Sequence, residues 1–145
     1  MLNKPKKTQY PTYHNIKKPN SFNLNSDFLK TTCGLIACEN GILTAAQLAA
    51  ATLSIKRKIK HNIKFLVRTF PHLPVTKRPP ELPLGKGKSS ISYWATPIKA
   101  GSLIFELETN EQIITKTALI AASYKLPFKT QIVYKLGPWR PSLTF

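Results

Sequence analysis

The stretch KTTCGLIACENGILTAAQLAAATLSIKRKIK, residues 30–60, decides the fold, because a short strand pattern is followed almost directly by a capped helix. Residues 30–41 are typical of a strand that closes at an Asn-Gly turn. Thr44 and Gln47 have the spacing of a capping box, in which the two side chains satisfy free amides at a helix start. We therefore expect a strand followed by a helix that begins at Thr44.

One face of this helix is apolar or nearly so. Leu48, Thr52, Ile55 and Ile59 follow one another at spacings of four, three and four residues, which places them on one side of a helix. The opposite face is rich in alanine and then in cations, which suit the negative end of the helix dipole. The cations of the last turns are Lys56, Arg57, Lys58, Lys60 and His61.

The rest of the chain supplies further strands and a second helix. Residues 62–70 alternate like a strand, with Ile63, Phe65 and Val67 on one side. The next twenty residues or so are rich in proline and are predicted to form a long loop rather than a helix or central strand. The remaining predictions are a hairpin of strands 91–98 and 102–108, a capping box at 109–112, a helix to about Lys125 and a last strand over 128–135.

Together these elements predict a compact two-layer α+β domain, with two helices packed on a mixed or antiparallel sheet. We divide the chain into a basic N-terminal extension over 1–26, a single domain over 27–135 and a C-terminal extension over 136–145. The last segment has no evident partner in the sequence.

The charge of the chain points to a polyanion. Its 22 lysines and arginines stand against 6 acidic residues, a formal net charge of +16, and the first acid is Asp27. Such a chain repels itself unless a phosphate-rich partner neutralises it. No apolar run approaches the length of a membrane-spanning helix, and the N-terminus does not resemble a signal peptide.

Catalytic and metal sites are not indicated. The stretch LGKGKSS, residues 84–90, fits neither nucleotide-binding motif, because Leu82 stands where the NTPase phosphate loop requires glycine and Ser90 stands where the dinucleotide fingerprint requires its third glycine. Glu106 and Glu108 are interpreted as partners for surplus lysines. The three histidines, His14, His61 and His72, have no metal-like spacing.

The two cysteines, Cys33 and Cys38, are five residues apart. On a regular strand this separation directs their side chains to opposite faces, which argues against a shared metal or a mutual disulfide. We interpret them as buried or half-buried thiols in a reducing compartment.

The glycine-lysine loop suits RNA better than catalysis. Gly85 and Gly87 lack a Cβ and allow backbone amides to approach a sugar-phosphate chain, while Lys86 and Lys88 contact phosphate oxygens. The alternative is a mobile surface loop with solvated lysines. The N-terminal extension has lysines, tyrosines and a histidine suited to folding on a polyanion.

Five stretches together resemble a known family. They are KKTQYPTYH, GILTAAQLAAA, RTFPHLPVTKRP, LGKGKSSISYWA and KLPFKTQIVYK. In this order and spacing they resemble the large-subunit ribosomal protein L-sixteen of bacteria and organelles, over roughly residues 1–135.

The resemblance implies a hammerhead-like, non-enzymatic rRNA-binding protein beside the peptidyl transferase centre and the aminoacyl-tRNA corridor. Its implied partners are large-subunit rRNA, the tRNA acceptor region and neighbouring ribosomal proteins, with no cofactor, small-molecule substrate or membrane. The loop expected near tRNA comprises Gly85, Lys86, Gly87 and Lys88. The expected rRNA contacts are Lys4, Lys6, Lys7, Tyr10, His14, Lys17, Lys18, Lys56, Arg57, Lys60, Arg68, Lys77 and Arg78.

The chain also departs from the family pattern. Pro83 replaces a family arginine that is modified in some bacteria, so that modification is not expected. An excess of lysine over arginine, with abundant Ile and Asn, favours an organelle-encoded mitochondrial protein over a plastid or bacterial one, and the absence of an arginine- and serine-rich transit segment agrees. The alternative function is an extraribosomal basic module that binds RNA or an anionic membrane surface.

Overall fold

The computed structural model describes residues 4–8, 13, 16–22, 33–59, 63–81, 85, 87–108, 112–136 and 140–143. The elements in chain order are β1 (Cys33–Ala37), β2 (Gly41–Thr44), α1 (Ala45–Lys58), β3 (Lys64–Val67), β4 (Leu73–Thr76), β5 (Ile91–Ile98), β6 (Leu103–Glu108), α2 (Gln112–Ser123), β7 (Thr130–Leu136) and β8 (Arg140–Leu143).

The strands form two antiparallel sheets. A five-stranded sheet has the order β3-β6-β1-β7-β8, and a three-stranded sheet has the order β2-β5-β4. The two helices pack on each other, with α1 against β2 and β5 and α2 against β1 and β7. These sheets and helices confirm the predicted α+β class. In the described part of the chain, no helix has the length and apolar character needed to cross a membrane.

One buried cluster joins both sheets and both helices. Leu35 and Phe105 come from the five-stranded sheet, Leu43 from the three-stranded sheet, Ile55 from α1 and Leu119 from α2, and all five are fully buried. Burying a side chain of this size stabilises a fold by about 1.5–3 kcal/mol relative to leaving it exposed. The two sheets therefore share one core.

The start and the buried face of α1 are as the sequence predicts. The Gln47 amide donates to Thr44 Oγ1 at 3.3 Å, and the Thr44 amide donates to Gln47 Oε1 at 3.0 Å. Leu48, Thr52 and Ile55 are buried. The helix ends at Lys58, so the cations Lys56, Arg57 and Lys58 occupy its last turn.

The alternation predicted around β3 is also confirmed. Phe65 and Val67 are half-buried against the core, whereas Lys64 and Leu66 are exposed. The Phe65 ring lies 5.7 Å from that of Phe105, centroid to centroid. This aromatic contact fixes the edge strand to its neighbour β6.

The predicted hairpin of the fifth and sixth strands is wrong. β5 pairs with β2 and β4, whereas β6 pairs with β1 and β3. The turn between them moves the chain from one sheet to the other. Gly101 has φ +84, its amide donates to Ala37 O at 2.7 Å, and the Ala37 amide donates to Ser102 O at 3.0 Å. The turn is thus bonded to the end of β1 instead of closing a hairpin.

The chain crosses between the sheets at a second, neighbouring place. β1 ends near the predicted turn, but Gly41 begins β2, a strand that the sequence prediction missed. The Asn40 side-chain oxygen accepts a hydrogen bond of 2.6 Å from the Ala100 amide. Asn40 therefore connects the crossing from β1 to β2 with the crossing from β5 to β6.

Two further strands were not predicted. The long loop after residue 70 is interrupted by β4, which lies at the edge of the three-stranded sheet, where the missing amide of Pro74 is tolerated. The C-terminal segment contributes β8, which pairs with β7.

The second helix and the last strand agree with the prediction more closely. α2 ends at Ser123 and is followed by turns before Pro127, and β7 covers most of the predicted last strand. The capping box predicted at 109–112 lies largely outside the described residues, because 109–111 are not among them.

Gly41 is required by close packing. A Cβ built on it lies 2.5 Å from Cδ1 of Phe128, a distance that real contacts do not tolerate. We expect Gly41→Ala to lower the free energy of unfolding by about 2 kcal/mol, a typical cost of overpacking, as measured by urea denaturation. In a Phe128→Leu background the same change should cost less than about 1 kcal/mol. Equal costs in the two backgrounds contradict the packing explanation.

Candidate nucleic-acid interface

The predicted cationic contacts lie on the surface wherever the structure describes them. The last turn of α1 carries three exposed cations, and the segment after β4 carries two more. Tyr10, His14, Lys60 and Lys86 lie outside the described residues. The exposed members of the predicted set are Lys4, Lys6, Lys7, Lys17, Lys18, Lys56, Arg57, Arg68, Lys77, Arg78 and Lys88.

The glycines of the loop have backbone conformations that side chains disfavour. Gly85 has φ +114 and Gly87 has φ +85, and apart from the adjacent residues no atom of the described part of the chain lies within 4 Å of a Cβ built on either one. Both are exposed. The space beside the loop backbone is open, as a close approach to a sugar-phosphate chain requires.

The loop lies against the N-terminal extension. The Lys88 ammonium donates a hydrogen bond to the backbone carbonyl of Tyr13. Further along the extension, Phe22 forms a parallel bridge with Ala100. The structure thus brings together two segments for which RNA binding was predicted separately. Sequence reasoning missed this contact, because nothing in the local sequence indicates a hydrogen bond between residues 75 positions apart.

Arg68 has an internal partner. Its Nε lies 3.1 Å from Oε1 of Glu106, whose side chain is fully buried, while the Arg68 side chain is 30% exposed. Glu106 lies on β6, between β3 and β1, where an uncompensated carboxylate is costly. The internal ion pair gives Arg68 a structural role that the predicted rRNA contact did not include.

The two strand carboxylates differ in their partners. Glu108 pairs with Lys64 at 3.2 Å, as the expectation of lysine partners implies, and both side chains are substantially exposed. Glu106 pairs with an arginine instead, so the lysine expectation is wrong for this residue. The sequence did not reveal this, because Arg68 follows the end of β3 and meets Glu106 only through the pairing of β3 with β6.

The described carboxylates are mostly neutralised within the protein. Glu39 lies 3.5 Å from Lys129, so three of the four described glutamates, all except Glu81, are in ion pairs. The described cations outnumber them, and most remain exposed. The surface therefore presents a net positive charge to solvent.

The two cysteines are free thiols in different environments. Cys33 is buried, and burial raises the pKa of its thiol to about 12. Cys38 is exposed, which corrects the expectation that both thiols are at least half-buried. The pKa of Cys38 is also raised, by partial burial and then by the neighbouring Glu39, while Lys129 opposes the shift.

The buried ion pair should contribute much more to stability than the exposed one. Removing the arginine with Arg68→Met leaves a carboxylate in the core, and we expect a loss of about 3 kcal/mol in the free energy of unfolding, the low end for a buried pair because Arg68 itself is partly exposed. The matched control Lys64→Met breaks a solvated pair and should cost less than about 1 kcal/mol. Urea denaturation of the two variants measures both effects. Similar small losses for both contradict a structural role for Arg68.

The Cys33 thiol should make stability fall at high pH. Its pKa in the folded protein, about 12, is above its ordinary value of 9.0, so the unfolded chain releases this proton first. The Cys33 contribution is intact below pH 9 and falls by up to about 1.4 kcal/mol per pH unit above it. Comparing the wild type with Cys33→Ala by denaturation between pH 8 and pH 10 isolates this slope. Identical slopes rule out the thiol as its source.

Comparison with known proteins agrees with the five-stretch resemblance. The pattern of the family described as ribosomal protein L16p/L10e matches residues 2–133. The protein named large ribosomal subunit protein uL16 of Psychrobacter cryohalolentis is 38% identical over 129 residues, which cover 89% of this chain and 94% of that protein. The protein of the same name from Acinetobacter baumannii is 35% identical over the same shares. The chain therefore belongs to the ribosomal protein L16p/L10e family, whose members are structural ribosomal proteins and not enzymes.

Proposed function

We propose that the chain is a structural component of the large ribosomal subunit that binds rRNA. The observation that carries the proposal is the charge arrangement, in which exposed cations extend over three separate segments while most described carboxylates are neutralised internally. The similarity to proteins named for the large ribosomal subunit supports it. A folded RNA supplies phosphates over a surface large enough to meet all three segments.

Each of the three segments has a distinct way of meeting RNA. The last turn of α1 holds Lys56, Arg57 and Lys58 on a rigid element, which suits fixed contacts to phosphates of a folded helix. The loop offers exposed backbone at Gly85 and Gly87, where no side chain blocks approach. The extension presents exposed lysines along an irregular segment that can follow an RNA groove.

The loop is the segment that we assign to the neighbourhood of the peptidyl transferase centre and the tRNA acceptor end. The LGKGKSSISYWA stretch resembles the family in this region, and exposed glycines without side chains allow the backbone to approach RNA closely. In that position the loop lysines lie beside tRNA phosphates and help to hold the acceptor end.

We further assign the protein to mitochondrial ribosomes. The support is compositional, because lysines greatly outnumber arginines and Ile and Asn are abundant, as in proteins encoded by AT-rich organelle genomes. The named relatives are bacterial, so localisation of a tagged chain to the mitochondrial matrix is the direct check.

The cationic end of α1 provides the sharpest test of the rRNA interface. The triple variant Lys56→Gln, Arg57→Gln, Lys58→Gln should reduce the magnitude of the slope of log affinity against log salt by about 0.9 for each phosphate that the protein no longer neutralises. Binding of the full chain to purified large-subunit rRNA over a series of salt concentrations measures this slope. A control with three exposed lysines elsewhere, Lys99→Gln, Lys116→Gln, Lys125→Gln, should change it much less.

Co-sedimentation with the large ribosomal subunit gives a second test of the proposed function. The wild-type chain should sediment with the large subunit after a high-salt wash, because a component embedded in RNA is held by more than surface charge. Complete release at high salt, together with equal slope changes in the two triple variants, contradicts the proposal and supports an extraribosomal basic module.

A further inference from the structure

We propose that Lys88 and Tyr13 form one composite site that binds an unpaired nucleotide of RNA, with the phosphate on the ammonium group and the base against the tyrosine ring. The proposal rests on the RNA-binding function above and deepens it, because it names residues of two segments that act as a unit. The two residues are far apart in sequence and adjacent in the fold.

The hydrogen bond between them leaves the lysine able to bind phosphate. An ammonium group has three donors, and the Tyr13 carbonyl takes one of them. Because a carbonyl carries no net charge, the positive charge of Lys88 is not neutralised. The residue is exposed, so its remaining donors can reach a phosphate while the first one holds the extension.

The tyrosine supplies the second half of the site. Tyr13 is 46% exposed, and its backbone carbonyl is the group that Lys88 binds, so the ring belongs to the residue that the lysine holds. Proteins that bind single-stranded nucleic acid combine exposed aromatic rings with cations of the same surface, since every base has a face that can stack. A base in a duplex is already stacked, so this site favours an unpaired nucleotide.

The backbone on both sides holds the site in place before RNA arrives. Gly87, with φ +85, sets the direction of the chain immediately before Lys88. On the other side, the bridge between Phe22 and Ala100 attaches the extension to the domain a second time. A segment that is already positioned loses less conformational entropy on binding than one that folds on its ligand.

Hydrogen exchange of the free full-length chain tests, without RNA, whether the Lys88–Tyr13 hydrogen bond holds the extension. In Lys88→Met, amides around Tyr13 should exchange faster than in the wild type. Lys116→Met, which removes one exposed charge from α2, should leave them unchanged. Tyr13→Leu keeps the backbone carbonyl and should also leave exchange nearly unchanged. Circular dichroism confirms that each variant is folded.

Binding to a short single-stranded RNA and to a duplex of the same length tests the nucleotide site. Tyr13→Leu should weaken single-strand binding about fivefold or more, the lower range for one stacked base, with little effect on the duplex and on the salt slope. Lys88→Met should weaken single-strand binding and reduce the magnitude of its salt slope by about one. Lys116→Met serves again as the one-charge control.

The composite site is overturned if Lys88→Met leaves exchange around Tyr13 unchanged, or if Tyr13→Leu binds the single strand as the wild type does. Either result is compatible with ribosomal function, provided that the wild-type chain still sediments with the large subunit. Failure of that sedimentation, with both variant effects present, overturns the ribosomal assignment and leaves the composite RNA site standing.

Discussion

The hydrogen bonds around Ala37 join the two sheets, and the placement of the other elements depends on them. Ala37 donates to Ser102 and accepts from Gly101, and the nearby Asn40 side chain accepts from Ala100. The chain passes between the sheets twice at this junction. Because both crossings are bonded to each other, the sheets are held at a fixed relative position over one shared core. The extension reaches the same junction through the bridge at Ala100.

The junction also shows how a strongly basic chain folds without placing its charge in the core. The shared cluster is apolar, and the buried Glu106 is matched by Arg68. Most of the other described cations are spread over the surface, on a helix end, a loop and an extension and also at single positions such as Lys64, Lys116 and Lys129. Repulsion between them is lowered by this separation and by salt. The domain therefore keeps its positive charge at the surface, where a polyanion can neutralise it.

Much of the fold followed from local signals, and the errors concern strand pairing and the short strands β2, β4 and β8, which were not predicted. Thr44 and Gln47 identified the start of α1 because a capping box needs only residues three positions apart. The fifth and sixth strands were located well, yet a short turn between two strands does not show whether they pair with each other. Pro74 suggested a loop, because proline is excluded from central strands but not from edges.

The sequence predicted which residues belong to the candidate site, but not which of them contact one another. Lysine and glycine patterns identified the loop and the helix end, and the comparisons confirmed the family. The pairing of Arg68 with Glu106 and of Lys88 with Tyr13 depends on strand register and on contacts distant in sequence. The individual rRNA and tRNA contacts stay predictions, since they require the partner to be present.

The strand β8 determines which backbone edge of the five-stranded sheet is open to other molecules. It pairs along β7, whose amide and carbonyl groups on that side otherwise face solvent as an open template for another chain. In a chain that is not yet bound to its partners, such an edge can pair with a strand of another molecule. β8 replaces β7 as the outer edge of the sheet, and because it has four residues, one of them Pro141 without a backbone amide, it is a shorter and poorer template for intermolecular strand pairing than the seven-residue β7.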